Sequence, residues 1–172
     1  MTAAMEVCEK HGIPVTSIED GDQIMLGDTV IDVWLKGDES WSLNERSAQM
    51  RVQFGDRTAL FTGDMEAKIQ QRLLEVIPAE QLNIDVLKYP HHGLEAMNKD
   101  FLAALSPEFA VITNNGGKMT RAARGCLKSA KVPFAVTVPG YVALITDGQT
   151  WLAERIPMDK AVTVTSRPDT RP

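Results

Sequence analysis

The chain has 172 residues, of which 44% are hydrophobic and 24% are charged, and its formal net charge is −5. This length predicts one domain, and no apolar run approaches the roughly 20 residues that a membrane span needs, so a globular, soluble chain is expected. The negative charge disfavours strong non-specific attraction to nucleic acid, although a local basic patch is compatible with it. The first ten residues do not resemble a signal peptide, which predicts a cytoplasmic location or a soluble domain of a larger, membrane-associated protein.

The first part of the chain has the pattern of short strands after one helix. Residues 1–11 predict that helix, because Gly12 and Pro14 supply a stop signal. Short apolar runs separated by glycine turns then predict strands at 15–18, 23–26, 29–35, 47–54 and 58–62. Residues 36–45 are polar and irregular. Almost all of this part is therefore expected to be β-structure.

After Thr62 the hydrophobic period becomes helical, with apolar residues through Ile77 and a stop at Pro78. Strands and helices then alternate, with strands expected at 84–89 and 109–113 and helices at 99–105 and 120–131. Three closing strands are predicted at 134–138, 142–146 and 151–155. The sequence thus predicts an α/β (α+β) domain over residues 1–156 and a polar, Pro-containing tail over residues 157–172.

A first candidate ligand, Asp64, follows the apolar strand that ends in Thr62-Gly63. Open α/β sheets usually place their functional sites just past the carboxyl ends of strands. An Asp between a strand and a helix is also a common helix N-cap. Taken alone, Asp64 therefore predicts a metal ligand and a helix cap equally well.

A second candidate is the His91-His92 pair, which follows an apolar strand and precedes Gly93. Adjacent histidines point in different directions, so usually one of them binds a given metal ion and the other can hydrogen-bond or transfer protons. A surface pair with no chemical role is the alternative interpretation. The two imidazoles alone do not decide between these interpretations.

Together, these segments resemble the metallo-β-lactamase fold hydrolases, and within them the C-terminal domain of ComEC-type competence proteins. The resemblance spans about residues 12–150, and its most specific parts are residues 60–66 (LFTGDME) and 87–93 (LKYPHHG). Further matches lie at residues 44–47, 54–57, 101–102, 106–107, 110–112 and 137–147. The resemblance implies mixed sheets with flanking helices, forming the C-terminal half of an αββα sandwich.

The same resemblance implies roles for three residues. Asp64 would bridge two metal ions, and His92, directly before the glycine, would bind one of them. His91 would then be catalytic or a hydrogen-bonding partner of the ligands. Zinc is the expected metal for imidazole and carboxylate ligands, with manganese as an alternative.

The chain also departs from the family pattern. The family's first ligands come from a His-x-His-x-Asp-His loop, and this motif does not occur in the 172 residues, whose third histidine is His11. The family's Ser after His-His-Gly is Leu94 here, and its later His-containing loop corresponds to residues 114–118 (NNGGK). We therefore expect a partial domain that binds zinc weakly or not at all by itself.

Two classes of function follow from this pattern. The first is a metal-dependent hydrolase of phosphodiester or related bonds, with nucleic acid as a candidate substrate, completed by a missing N-terminal half or a partner chain. The second is a non-catalytic half-domain that serves structure or protein interaction. A half-sandwich would expose apolar surface, which also predicts a homodimer or another partner.

Overall fold

The structure is a computed structural model that describes residues 3–114, 118–138 and 140–156. The helices of the described chain are α1 (Ala3–Lys10), α2 (Ala67–Val76), α3 (Ala79–Leu82), α4 (Lys99–Leu105) and α5 (Arg121–Ser129), with a 3₁₀ segment at Pro90–Gly93. The strands are β1 (Gln23–Leu26), β2 (Thr29–Trp34), β3 (Gln49–Phe54), β4 (Arg57–Phe61), β5 (Val86–Lys88), β6 (Phe109–Ile112), β7 (Phe134–Val136), β8 (Tyr141–Thr146) and β9 (Trp151–Ile156).

Seven strands form one mixed sheet in the order β1-β2-β3-β4-β5-β6-β7. The pairs from β1 to β4 are antiparallel, and those from β4 to β7 are parallel. Parallel neighbours need crossover connections, which the helical segments between β4 and β7 supply. The carboxyl ends of β4, β5 and β6 consequently lie side by side at one end of the parallel strands.

One hydrophobic core joins the sheet to these helices. Its fully buried members include Leu60 and Leu87 on the strands and Leu73, Phe101 and Leu127 on α2, α4 and α5. Each helix contributes apolar residues at three- or four-residue spacing, which is the stripe that packs on a sheet. The core therefore fixes the positions of the strand ends at which the loops after β4, β5 and β6 meet.

The hairpin of β8 and β9 forms a separate two-stranded sheet whose turn lies against the turn between β3 and β4. The Asp56 N–H donates to the Gly148 carbonyl at 2.8 Å. A Cβ added to Gly55 would lie 2.6 Å from that carbonyl oxygen, so these two turns can approach each other only with glycine at position 55. A backbone contact between the two turns thus fixes the hairpin to the main sheet.

The fold confirms the predicted mixed α/β class, with a mixed sheet and flanking helices. The strand predicted at 15–18 is wrong, because this segment is irregular and exposed and has no neighbouring strand to pair with in the described chain. The short helix α3 is not predicted by the sequence, because Pro78 is typical of the end of a helix, yet α3 begins directly after it. The tail predicted at 157–172 lies outside the described residues.

Candidate metal centre

The turn after β4 places Asp64 at the carboxyl end of that strand. Gly63 has a φ of +56°, and a Cβ there would lie 2.7 Å from the Ser47 Cβ, so the turn requires glycine. The Thr62 hydroxyl donates to the Lys88 carbonyl at 2.7 Å, which ties the turn to β5. The Asp64 N–H donates to the Ser47 Oγ at 3.2 Å. Both bonds hold the Asp64 backbone while its side chain stays 38% exposed.

Asp64 does not cap the helix that follows it. The N-cap of α2 is Glu66, and the N–H groups of Lys68 and Ile69 donate to the two carboxylate oxygens of Glu45, at 3.1 and 2.7 Å. Glu45 is buried and comes from the loop before β3. Because this remote carboxylate satisfies the helix terminus, the Asp64 carboxylate is not needed as a helix cap.

His92 points its Nε2 toward Asp64. Its Nδ1 lies 2.6 Å from the Thr113 carbonyl oxygen, and a carbonyl can only accept, so Nδ1 carries the proton in this bond. In the neutral ring Nε2 then presents its lone pair, and it lies 3.4 Å from Asp64 Oδ1. A carboxylate oxygen and an imidazole lone pair at this distance can bind one cation between them, and a protonated ring would instead donate to the carboxylate. A carbonyl that orients a histidine through its other nitrogen is usual for metal-binding histidines.

Lys88 supplies positive charge next to Asp64. Its ammonium donates to the Gly63 carbonyl at 2.6 Å and lies 3.6 Å from Asp64 Oδ1. Burial lowers the pKa of Lys88, and the Asp64 charge opposes that shift. Lys88 was not singled out from the sequence, where it reads as the polar end of a strand.

His91 faces a different pair of carboxylates. Its Nδ1 lies 3.9 Å from Glu66 Oε1 and 3.8 Å from Glu95 Oε1. Ligand atoms of the three residues all lie within 4.8 Å of one another. The Asn44 amide donates to Glu66 Oε1 at 2.9 Å and orients that carboxylate. The three side chains are a candidate metal site that sequence reasoning missed, since only the loop geometry brings residues 66 and 95 together.

The two histidines adopt unusual backbone conformations. His91 and His92 have φ values of 44° and 53°, in the left-handed region that residues with a Cβ rarely occupy. Such conformations cost about 1 to 3 kcal/mol each and are concentrated at functional sites. The strained loop turns the two imidazoles toward different partners, as the sequence predicted for adjacent histidines.

No protein-family model matches the chain. Over 119 residues it is 26% identical to ComE operon protein 3 of Bacillus subtilis (strain 168), a match that covers 68% of this chain and 15% of that protein. The chain is thus similar to a ComE operon protein. The predicted resemblance to ComEC-type competence proteins is confirmed at this level, and the chain spans a small part of the length of the relative it matches.

Among solved structures, the chain is similar to CmlA, a diiron β-hydroxylase from Streptomyces venezuelae, with a TM-score of 0.49 and 12% identity. This match covers 75% of the chain and 34% of CmlA. A protein assigned as a metal-dependent hydrolase from Parabacteroides distasonis ATCC 8503 matches with a TM-score of 0.49 and 14% identity, over 76% of the chain and 60% of that protein. Within the described residues, every helix is too short or too polar to cross a bilayer.

Proposed function

We propose that the chain is part of a metal-dependent hydrolase, with Asp64 and His92 as metal ligands. The observation that carries this proposal is the 3.4 Å approach of Asp64 Oδ1 to His92 Nε2, combined with the Thr113 carbonyl that fixes the ring. Carboxylate and imidazole are the donors that zinc takes in hydrolases, so the residues fit this ion. Manganese is the alternative metal.

The ion would activate water for attack on a phosphodiester or related bond. The chain's own residues contribute position and charge. Gly63 and the bond from Thr62 hold Asp64 at the end of β4, and Lys88 places a cation within 3.6 Å of it. This cation would also attract an anionic substrate. A phosphodiester, with nucleic acid as the first class to test, is the substrate that we propose from this charge and from the similarity to a ComE operon protein.

We propose His91 as a catalytic residue of the same loop. Its imidazole lies between Glu66 and Glu95, in the loop after β5 that also carries His92, beside the end of β4 that carries Asp64. An imidazole in such a place can transfer a proton or bind a metal ion. Either use requires the loop geometry that the left-handed backbone at His91 provides.

We further propose that ligands from outside these 172 residues complete the Asp64–His92 site. Zinc in hydrolases usually has three protein ligands, and this pair supplies two. The His-x-His-x-Asp-His motif of the metallo-β-lactamase fold hydrolases, which the chain resembles, does not occur in its 172 residues. An N-terminal half or a partner chain carrying it would supply the rest, and without it the pair should hold zinc weakly. The domain at residues 1–156 would then be the C-terminal half of an αββα sandwich.

The hydrolase proposal is tested by replacing the two ligands in a longer protein, in which this chain is joined to a segment that carries a His-x-His-x-Asp-His loop. We expect Asp64→Asn and His92→Ala each to remove nearly all turnover of a generic phosphodiester substrate, because an amide or a methyl group cannot replace the lost ligand. Elemental analysis should show less zinc in both variants. His11→Ala is the matched control, since His11 is exposed beyond the end of α1, and it should leave turnover and zinc content unchanged.

Full activity and full zinc content in Asp64→Asn would contradict the proposed function. Unchanged behaviour of His92→Ala alongside a loss in His91→Ala would instead show that the roles of the two histidines are reversed.

A second candidate function is a non-catalytic interaction module. The specific observation in its favour is the outer hairpin of the sheet, where Ile24, Met25 and Leu26 are 38%, 59% and 70% exposed. Apolar side chains on an exposed edge strand are a common feature of association surfaces. Zinc binding in the completed protein separates the two functions, because the interaction module needs no metal.

A further inference from the structure

We propose that Glu66, His91 and Glu95 form a second cation site that binds one divalent transition-metal ion such as Zn²⁺, with His91 Nδ1 as its nitrogen ligand. The inference deepens the proposed function and rests on it only for the place of His91 in the catalytic loop. It assigns to that imidazole a ligand role in a site that uses neither Asp64 nor His92.

The separations of the donor atoms suit a single ion. Zinc binds nitrogen and carboxylate oxygen at about 2.0 to 2.2 Å, so two ligands of a tetrahedral ion lie about 3.4 Å apart. His91 Nδ1 is 3.9 Å from Glu66 Oε1 and 3.8 Å from Glu95 Oε1, so small rotations of the glutamate side chains bring each pair to that separation. The Glu95 side chain is 56% exposed and can close the remaining distance to Glu66 by a change of rotamer.

An unsatisfied nitrogen and two negative charges in the cluster also favour a bound cation. His91 Nδ1 is buried from solvent and has no hydrogen-bond partner among the described residues. Leaving a buried polar atom unsatisfied costs about 1 to 3 kcal/mol. Two carboxylates face this same atom, and their like charges repel each other unless something positive lies between them. One ion in this position would satisfy the nitrogen and offset both negative charges.

The protein holds the Glu66 carboxylate and the backbones of Glu95 and His91 in place before any ion arrives. The Asn44 amide donates to Glu66 Oε1 at 2.9 Å, and the Tyr89 hydroxyl donates to the Glu95 carbonyl at 2.9 Å. The His91 carbonyl accepts the N–H of Leu94 at 2.9 Å. A hydrogen bond to a ligating carboxylate, such as the one from Asn44, orients that ligand and raises the affinity of the site.

The donor set selects among ions. Calcium and magnesium prefer sites built from oxygen alone, whereas an imidazole with two carboxylates suits zinc and other first-row transition metals. Three protein ligands leave at least one position of a four-coordinate ion open, which is typical of catalytic sites and not of structural ones.

The test is a calorimetric titration of the 172-residue chain with Zn²⁺ alone. We expect saturable binding of one equivalent at this cluster, with Glu95→Gln and Glu66→Gln each weakening it at least about tenfold, as loss of a metal-site interaction typically does. Glu95 is exposed, so Glu95→Gln should leave the fold intact. Glu80→Gln is the matched control, because Glu80 is an exposed glutamate on α3.

Asp64→Asn and His92→Ala separate this inference from the proposed function. Both should retain the one-equivalent isotherm, since neither residue belongs to the cluster. A Glu95→Gln isotherm that overlays that of the unaltered chain would overturn the inference, as would binding that vanishes in Asp64→Asn and persists in Glu66→Gln. The first result would not bear on whether Asp64 and His92 are needed for hydrolysis, whereas the second would support Asp64 as the ligand and leave the proposed function standing.

Discussion

At the scale of single residues, the site depends on backbone conformations that most side chains resist. Gly63 and the two histidines all have positive φ, and they lie in the two loops that carry the candidate ligands. The glycine adopts this conformation at little cost, while the histidines are held in it by their surroundings. The loops are therefore specified by local geometry as much as by the chemistry of the ligands.

We expect Gly63→Ala to destabilise the fold by about 1 to 3 kcal/mol, because the new Cβ would add strain at a φ of +56° and would meet Ser47 at 2.7 Å. The matched control is Gly125→Ala, since Gly125 lies within α5 and has open space at its Cβ. This control should stabilise the chain by up to about 1 kcal/mol. Urea unfolding measures both, and equal effects of the two substitutions would contradict the role of Gly63.

At the scale of elements, α2 begins in an unusual way. No side chain within the first turn caps it, and the Glu45 carboxylate reaches its N–H groups from a loop more than 20 residues earlier. The bond joins the polar segment before β3 to the helix that follows β4. Glu45 therefore stabilises the position of α2 relative to the sheet, and with it the turn that carries Asp64.

We expect Glu45→Gln to lower the free energy of unfolding by about 1 to 2 kcal/mol, because the charge that faces the positive helix terminus is lost and only one acceptor oxygen remains. Glu39→Gln is the control, since Glu39 is exposed in the same loop, and it should change stability by less than about 0.5 kcal/mol. Thermal and urea unfolding of the two variants would decide this. A Glu45→Gln variant as stable as the unaltered chain would show that solvent replaces the carboxylate.

At the scale of the whole molecule, the two edges of the sheet differ. Antiparallel β1 forms one edge and carries exposed apolar side chains, whereas parallel β7 forms the other and has the α5 crossover beside it. Exposed apolar edge strands favour pairing with another chain. The β1 edge is thus the surface at which we expect a second copy or a missing half of the domain to bind.

We expect the chain to self-associate at tens of micromolar and Met25→Lys to shift it toward the monomer, because a charged side chain on an edge strand opposes strand pairing. Leu43→Lys is the matched control, since Leu43 is 79% exposed but lies in a loop away from the edge. Light scattering measures the mass of all three proteins. A clean monomer for the unaltered chain would contradict both the edge contact and the half-domain proposal.

The amino-acid pattern by itself determined the class of the fold and most of its elements. Helix α4 was predicted at its observed bounds, and β1 at 23–26, because strong periodicity and clear stop signals mark them. The strand predicted at 15–18 failed, since its apolar pattern found no neighbouring strand to pair with in the described chain. A strand pattern indicates that a segment favours extended structure. The segment becomes a strand only if another part of the fold supplies a neighbouring strand to pair with it.

The sequence also identified Asp64, His91 and His92 as candidates, because glycine turns after apolar strands mark the carboxyl ends where sites form. Which groups these side chains face was decided only by the tertiary structure. Glu45 took the helix terminus that Asp64 could have capped, the Thr113 carbonyl set the ring of His92, and Glu66 and Glu95 converged on His91. The physical reason is that most of these contacts join segments that are distant in the sequence. Whether they meet depends on strand order and on the packing of the crossover helices, which the local sequence does not indicate.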